Sequence, residues 1–485
     1  MTSQRETTLE RAPERLSAGE RLELLCDASS LRVIRSRVSS PRMGSKARPG
    51  DGVIGASGEV DGRPVYCYAQ DASFAGGSLG QAHADTIVRV MRLAGEARVP
   101  VVGFIESGGA RMQEGTAALG GYGRIFRENV RLSGRVPQIS VIGGTSAGGG
   151  SYSPALTDFV VMTERASMFL TGPAVVRDVL GEEVSGAELG GARVHERNGV
   201  AQFVVPGDAD SIFLARELLS FLPQNAWESP PRSAPIDAPG DDPAGFVPAE
   251  ERSVYDVRDV IRAIADGGEL LEAAQKWARN VVTAFARIEG RPVGVIANQP
   301  KHLGGTLDAD SAQKAARFVR ACNNYGLPLV VLVDAPGFLP GTKQERAGVI
   351  RHGAKLLHAF AEARVPKLTV VLRKAYGGAY ITMNSKDLGA DFAYAWPDAE
   401  IGVMGPTQAV GIIRRREIEA ADDPVSARDA YAAEYADEHL NAEIAAREGF
   451  IDEVIEPAET RERLASNLAT LPKDRGLDRA GNIPL

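Results

Sequence analysis

Residues 61–70 read DGRPVYCYAQ, and residues 289–298 read EGRPVGVIAN. The same offset of 228 positions carries AGGSL at Ala75 onto LGGTL at Leu303, and VPVVGFIESGG at Val99 onto LPLVVLVDAPG at Leu327. One inserted residue later, VPQISVIGGTSAGGG at Val136 matches VPKLTVVLRKAYGGA at Val365. Four more bring ASMFLTGP at Ala166 against AEIGVMGP at Ala399. A chain that matches itself over so many separate blocks is one domain written twice, and its fold has to be read per copy.

Between the copies the chain runs PQNAWESPPRSAPIDAPGDDPAGFVPAE from Pro223 to Glu250, too rich in proline and acidic residues for a regular element. The expected domains are therefore 1–228 and 251–485, joined by a linker at 229–250. Within each copy, VPVVGFIE and LPLVVLVD read as buried strands, whereas DTIVRVMRLAGEA and SAQKAARFVRACNNY space their apolar residues as helices do. Strands that alternate with helices predict α/β domains whose sheets are covered on both faces.

The bulk properties remove several function classes. With 485 residues, 44% of them hydrophobic and 24% charged, the chain has room for two globular domains and no large-scale bias toward disorder. Its opening, MTSQRETTLERAPERL, lacks the apolar core of a secretion signal, and no stretch approaches a membrane span, so a cytoplasmic protein is expected. A net charge of −8 argues against a general nucleic-acid binder. Cys26, Cys67 and Cys322 lie too far apart in sequence to suggest a disulfide framework or a paired-cysteine zinc site, and no metal is expected.

Each copy carries an apolar run that ends in a glycine-rich turn, SVIGGTSAGGGSYSPA and TVVLRKAYGGAYITMN. Glycine lets a backbone approach a ligand closely, and a turn that opens a helix leaves N–H groups without internal partners. Such amides suit an oxyanion, which predicts two related anion-stabilising sites near Gly148–Gly150 and Gly378–Ala379. Mere tight packing would explain one such glycine pair. Recurrence at equivalent points of both copies favours the chemical reading. Gly144-Thr-Ser-Ala-Gly148 also fits the GxSxG nucleophile elbow, which would make Ser146 a hydrolase nucleophile. Against this, Ala375 replaces Ser146 in the second copy, and none of the six histidines stands in a triad setting. Arg111 and Glu114 of SGGARMQEG are candidates for a CoA contact, with a structural ion pair as the plainer reading. Arg373 and Lys374 are expected at the surface, and His352 as an ordinary helix histidine.

At these residues the chain resembles the acyl-CoA carboxylase β-subunit family, the carboxyltransferases of propionyl-CoA and acetyl-CoA carboxylase type. The resemblance is carried by GDGVIGASGEVDGRPV, FAGGSLGQ, ESGGARMQEG, YSPALTDF, GEEVSGAELGGARVH, VDAPGFLPGT, RHGAKLLHAFAEARVPKLTVVLRKAYGGAY and YAWPDAEIGVMG. It implies two tandem crotonase-type (ClpP/crotonase) domains of repeated ββα units. It also implies a first oxyanion hole at Gly148 and Gly149 for the thioester oxygen, and a second at Gly378 and Ala379 for the ureido oxygen of biotin. Gly377 adjoins the biotin side, while Gly108, Gly109, Ala110, Gly150 and Ile381 fall on the acyl-CoA side. The internal repeat instead pairs Gly149 with Gly378 and Gly150 with Ala379, one residue out of step with that placement.

In the family mechanism carboxybiotin releases CO₂, the freed biotin nitrogen takes the α-proton, and the enolate attacks CO₂, so that no side chain need act as base. This chain has no Met-Lys-Met biotinylation motif and no ATP-grasp glycine loop. The resemblance therefore implies a separate biotin carboxylase and biotin carboxyl carrier as partners, and a dimer that stacks into a hexamer. Ile381 stands where propionyl-preferring members carry Asp, and resembles relatives that accept acetyl-CoA. Lys343, Arg346, Pro406 and Gln408, and the Gly150-Ser151 pair, also depart from the family pattern. A methylmalonyl- or malonyl-CoA decarboxylase on the same fold and a non-catalytic assembly subunit are the other readings.

Overall fold

A computed structural model describes residues 15–250 and 253–471. Most of the charged opening read above, residues 1–14, lies outside them, as do residues 472–485 of the second expected domain. The chain divides between Ser229 and Pro230 into two compact units.

The first unit is an eight-stranded sheet: β1 (Arg32–Ile34), β2 (Val53–Val60), β3 (Arg63–Gln70), β4 (Val101–Ser107), β5 (Gln138–Ala147), β6 (Phe159–Thr163), β7 (Ser167–Phe169) and β8 (Phe203–Val205). Its order is β1-β2-β3-β4-β5-β6-β8, with β7 paired to the end of β5. The pairs β1–β2 and β2–β3 are antiparallel, and all later pairs are parallel. Parallel strands need crossovers, and three helices matter for the site: α1 (Gln81–Ala97), α2 (Thr116–Leu132) and α3 (Gly149–Ala155). Helix α1 turns His83, Ala84, Ile87, Met91 and Ala94 inward at helical spacing, and ends where Arg98 adopts φ +57°. All of β4 is buried. Ile87, Met91, Ile125, Leu132 and Ile142 belong to the core against which it packs.

The second unit repeats this plan with β9 (Leu270–Ala273), β10 (Val281–Ile288), β11 (Arg291–Asn298), β12 (Leu329–Ala335), β13 (Lys367–Tyr376), β14 (Phe392–Ala395), β15 (Glu400–Gly402) and β16 (Glu453–Val454). Their order, β9-β10-β11-β12-β13-β14-β16 with β15 on the end of β13, reproduces the first strand for strand. The corresponding helices are α4 (Ala309–Asn324), α5 (Val349–Glu362) and α6 (Gly377–Thr382). A capping box starts α4: Asp308 Oδ1 accepts the Ser311 N–H, and Ser311 Oγ accepts the Asp308 N–H. Two tandem α/β units of crotonase type are what the repeat and the resemblance led one to expect. Segments β2–β3–α1, and β6–β7 with the helix Pro173–Leu180, show the ββα order.

The likeness extends to irregularities. The β4–β5 register slips between Ile105 and Ser107, so that Ser107 meets Ser146, and the β12–β13 register slips between Val333 and Ala335, so that Ala335 meets Ala375. The AGGSL and LGGTL motifs acquire a reason here. A β-carbon on Gly77 would stand 2.2 Å from the Glu106 carbonyl oxygen, and one on Gly305 would stand 2.5 Å from that of Asp334. Both loops press on the end of the central strand where only glycine fits. The proline-rich stretch has neither helix nor strand from Pro230 to Asp242, then forms one short turn at Pro243–Phe246.

Candidate active site

Strand β5 ends at Ala147, and Gly148 takes φ +57°; β13 ends at Tyr376, and Gly377 takes φ +58°. The two positive angles settle the register of the repeat. Gly148 corresponds to Gly377, Gly149 to Gly378 and Gly150 to Ala379.

The Gly148 N–H donates to the Phe169 carbonyl of β7 at 3.0 Å. This corrects the expectation that Gly148 supplies an oxyanion donor, because its amide is already spent on the sheet. One residue on, Gly149 opens α3, where its N–H has no partner within the helix, and the Gly150 N–H turns toward the Tyr122 hydroxyl. In the second unit the amides of Gly378 and Ala379 lie in the first turn of α6, where they have no partner within the helix.

The SGGA loop adjoins the first turn. Gly108 donates its N–H to Gly76, Gly109 donates to Ser107 Oγ at 3.2 Å, and the Gly109 carbonyl accepts from Leu79. A β-carbon on Gly109 would lie 3.5 Å from the Ala147 carbonyl, so the loop abuts the end of β5. The Ala110 N–H has no carbonyl partner among the described residues. Gly149 itself sits on an aromatic ring, since a β-carbon there would meet Tyr122 Cγ at 2.6 Å. Tyr122 is buried, and its hydroxyl lies 3.2 Å from Ser107 Oγ. Burial raises its pKa, while the Ser107 hydroxyl and the Gly150 amide pull it back down. Ile381 is 47% exposed on α6, in the helix that the second turn opens.

Of the other candidates, Arg111, Glu114 and His352 follow their plainer readings, and Arg373 does not. Arg111 is wholly buried and binds Asp51 at 2.7 Å and Glu114 at 2.9 Å, together with the carbonyls of Asp51 and Ser78. These groups brace a loop and present no charge to a ligand. Arg373, expected at the surface, is buried: it pairs with Asp334 at 3.1 Å, donates to the carbonyls of Pro248, Glu250 and Ser253, and lies over the Tyr255 ring. Lys374 lines a cavity of about 260 Å³ with Trp396 and Glu400. Lys343 and Arg346 lie exposed on the short helix Thr342–Ala347, and Pro406 opens the helix Pro406–Ile413. His352 is half-buried. Burial, then Lys355 and Arg351, lower its pKa.

Ser146 does not form a nucleophile elbow. It lies inside β5, is fully buried, and its Oγ has no hydrogen-bond partner among the described residues, so no base activates it. The hydrolase reading falls with it. No group of three His, Cys, Asp or Glu side chains among the described residues is placed to hold a metal ion, and no helix among them is long and apolar enough to cross a membrane. The Tyr122–Ser107 contact was not foreseeable from sequence, because Tyr122 reaches the turn from a helix with no counterpart motif in the second copy.

Two copies of one bulged sheet, each closing its central strand in a glycine turn, make this a tandem crotonase-type protein. The chain belongs to the carboxyl transferase domain family, whose match spans residues 10–477. It is 48% identical over 483 residues to the propionyl-CoA carboxylase carboxyltransferase subunit of Haloferax mediterranei, covering 97% of this chain and 94% of that one. It is 47% identical over 490 residues to the methylmalonyl-CoA decarboxylase subunit alpha of Veillonella parvula, covering 98% and 94%. Among solved structures it is similar to the transcarboxylase 12S hexamer with methylmalonyl-coenzyme A and methylmalonic acid bound. That match has a TM-score of 0.92 at 47% identity, over 97% of this chain and 93% of the other.

Proposed function

We propose that this chain is the carboxyltransferase subunit of a biotin-dependent acyl-CoA carboxylase, which moves a carboxyl group from carboxybiotin to the α-carbon of a short acyl-CoA. The observation that carries this reading is the pair of equivalent turns, each opening a helix whose first amides, at Gly149 and at Gly378 and Ala379, have no partner within that helix. In the first unit Gly149, with Gly150 beside it and Ala110 across the adjoining loop, faces the thioester oxygen and holds the charge that builds there as the α-carbon loses its proton. Gly108 and Gly109 shape that side, and Ile381 limits the acyl group. In the second unit Gly378 and Ala379, set by Gly377 at φ +58°, donate to the ureido oxygen of biotin. Bound there, biotin supplies the carboxyl group and the base that removes the α-proton. Fixed donors of this kind need no reorganisation as charge develops, and each contributes about 2.7–4 kcal/mol to the transition state.

Biotin arrives on a separate carrier, loaded by a separate biotin carboxylase. The hexameric transcarboxylase 12S supports a hexamer for this chain too. The test is to incubate the purified chain with a carboxylated biotin carrier and acetyl-, propionyl- or longer acyl-CoAs, and to identify the carboxylated product by mass. A mass gain on at least one acyl-CoA is expected. None on any of them refutes the proposal.

A second reading is favoured by the Veillonella relative, a methylmalonyl-CoA decarboxylase subunit. On that reading the same turns serve the reverse direction, taking a carboxyl group from methylmalonyl-CoA onto biotin. Net CO₂ release without ATP or bicarbonate, and no net carboxylation of an acyl-CoA, would favour it.

A further inference from the structure

We infer that Tyr122 is the positioning residue of the first turn, fixing the direction of the Gly149 amide by tying the two loops of that site together through Ser107. This rests on the carboxyltransferase reading, and it names what sets the geometry of its acyl-CoA side.

Three contacts converge on this one side chain. Its ring lies against the Gly149 Cα, close enough that a β-carbon there would meet Cγ, Cδ1 and Cδ2 at 2.6–2.7 Å. Its hydroxyl lies 3.2 Å from Ser107 Oγ, which accepts the Gly109 N–H at 3.2 Å. The same hydroxyl faces the Gly150 amide. Tyr122 is held in turn from α2, where its ring stacks on Phe126 with centroids 5.9 Å apart, and Phe126 meets the Tyr152 ring of α3 edge-on at 6.1 Å. The Gly149–Gly150 peptide and the Ser107–Gly109 loop are therefore referred to a single buried phenol. The Gly149 N–H belongs to the preceding Gly148–Gly149 peptide, which ends on the Cα that rests against the ring, so swinging that N–H away would shift the Cα on the ring and carry the Gly150 amide off the hydroxyl with it.

The second unit lacks this arrangement. Ala335 stands where the first unit has Ser107, and the ring nearest Gly378 is Phe338, reached from the loop after β12 and only at 3.8 Å from where a β-carbon would stand. A phenylalanine has no hydroxyl to orient an amide. The tie is thus confined to the turn assigned to the thioester, and its loss should leave the biotin side alone.

The experiment compares Tyr122→Phe, Ser107→Ala and the double variant in the full-length chain, with a carboxylated biotin carrier and propionyl-CoA. A hydrogen bond of ordinary strength predicts that kcat falls about fivefold in each single variant. KM for propionyl-CoA and the slow loss of carboxybiotin without acyl-CoA should stay at wild-type values. Because both hydroxyls act through one contact, the double variant should be no slower than the slower single one. Wild-type kcat in Tyr122→Phe, multiplied losses in the double variant, or an equal fall in the acyl-CoA-independent reaction would each overturn the inference. A wild-type chain that carboxylates no acyl-CoA would instead overturn the carboxyltransferase reading, and this inference with it.

Discussion

The two turns share a backbone path but not the same room, which makes replacement of equivalent glycines by alanine a sharp test. In Gly149→Ala the new methyl would stand 2.6 Å from Tyr122 Cγ and 2.7 Å from each Cδ. Comfortable carbon contacts lie near 3.5–4.0 Å, so ring and turn must separate by about 1 Å. The ring cannot easily yield, being buried, stacked on Phe126 and joined to Ser107. The turn is anchored by the Gly148 N–H on Phe169. Either way the Gly149 amide is displaced, and a 1 Å error in a catalytic constellation costs on the order of 100-fold in rate. In Gly378→Ala the methyl meets only the Phe338 ring, at 3.8 and 3.9 Å, which is ordinary contact. Steady-state carboxyl transfer to propionyl-CoA should therefore drop about 100-fold in the first variant and stay close to wild type in the second. Equal losses in both, or a folded Gly149→Ala chain at full rate, would refute the claim that the buttress behind Gly149 sets its amide.

Other perturbations bear on the rest of the site. Ala379→Pro deletes one N–H of the second turn and should lower kcat by about 100- to 1,000-fold, with folding checked by circular dichroism; near-normal turnover would remove Ala379 from the donor set. Ile381→Asp should lower kcat/KM for acetyl-CoA relative to propionyl-CoA, and an unchanged ratio would separate Ile381 from the acyl pocket. His83 predicts acid sensitivity. Its Nδ1–H donates to the Asp51 carbonyl, and its Nε2 must accept from the Gln70 amide nitrogen, because Gln70 Oε1 already takes the Glu106 N–H. Burial, and then the Arg111 charge, push its pKa down to about 3. The unfolded chain therefore binds a proton below about 6.5 that the folded one refuses, and stability that is complete above that pH falls as pH drops through the window, by about 2 kcal/mol at pH 5. Denaturant midpoints at pH 7 and pH 5 should differ less in His83→Gln than in wild type, and equal differences would contradict this.

Much of the fold was legible because its signals are local or repeated. VPVVGFIE and LPLVVLVD are apolar runs, and both became fully buried central strands, β4 and β12. The offset between the copies predicted the equivalence of β5 with β13, and even the glycine loops beside them. What escaped depends on contacts between distant positions. Arg373 looked like a surface cation because nothing near it in sequence is acidic, yet Asp334 and the carbonyls of Pro248, Glu250 and Ser253 receive it. Ser146 matched a short pattern, but that pattern does not say where a strand ends, and β5 runs one residue past it. Gly148 was assigned a donor role that its bond to Phe169 precludes, since pairing with β7 cannot be read from a glycine run.

The way the copies diverged says which level of structure carries the chemistry. Each unit keeps the register slip before the turn, the glycine pressed on the central strand, and the positive φ at the turn itself. The side chains that brace these features were replaced. Glu106, at the end of β4, is met by Arg21 and Arg15 from the segment that leads into the first unit. Its counterpart Asp334 is met by Arg373, which stands where the first unit has Gly144 and which grips the segment leading into the second unit. Ser107 and Tyr122 brace one turn, whereas Ala335 and Phe338 stand at the other. If a side chain were the general base or nucleophile, such exchanges beside the turns would have had to preserve it in one copy or the other. A reaction run by backbone N–H groups requires only that the peptide path be kept, and the peptide path is what both copies retain.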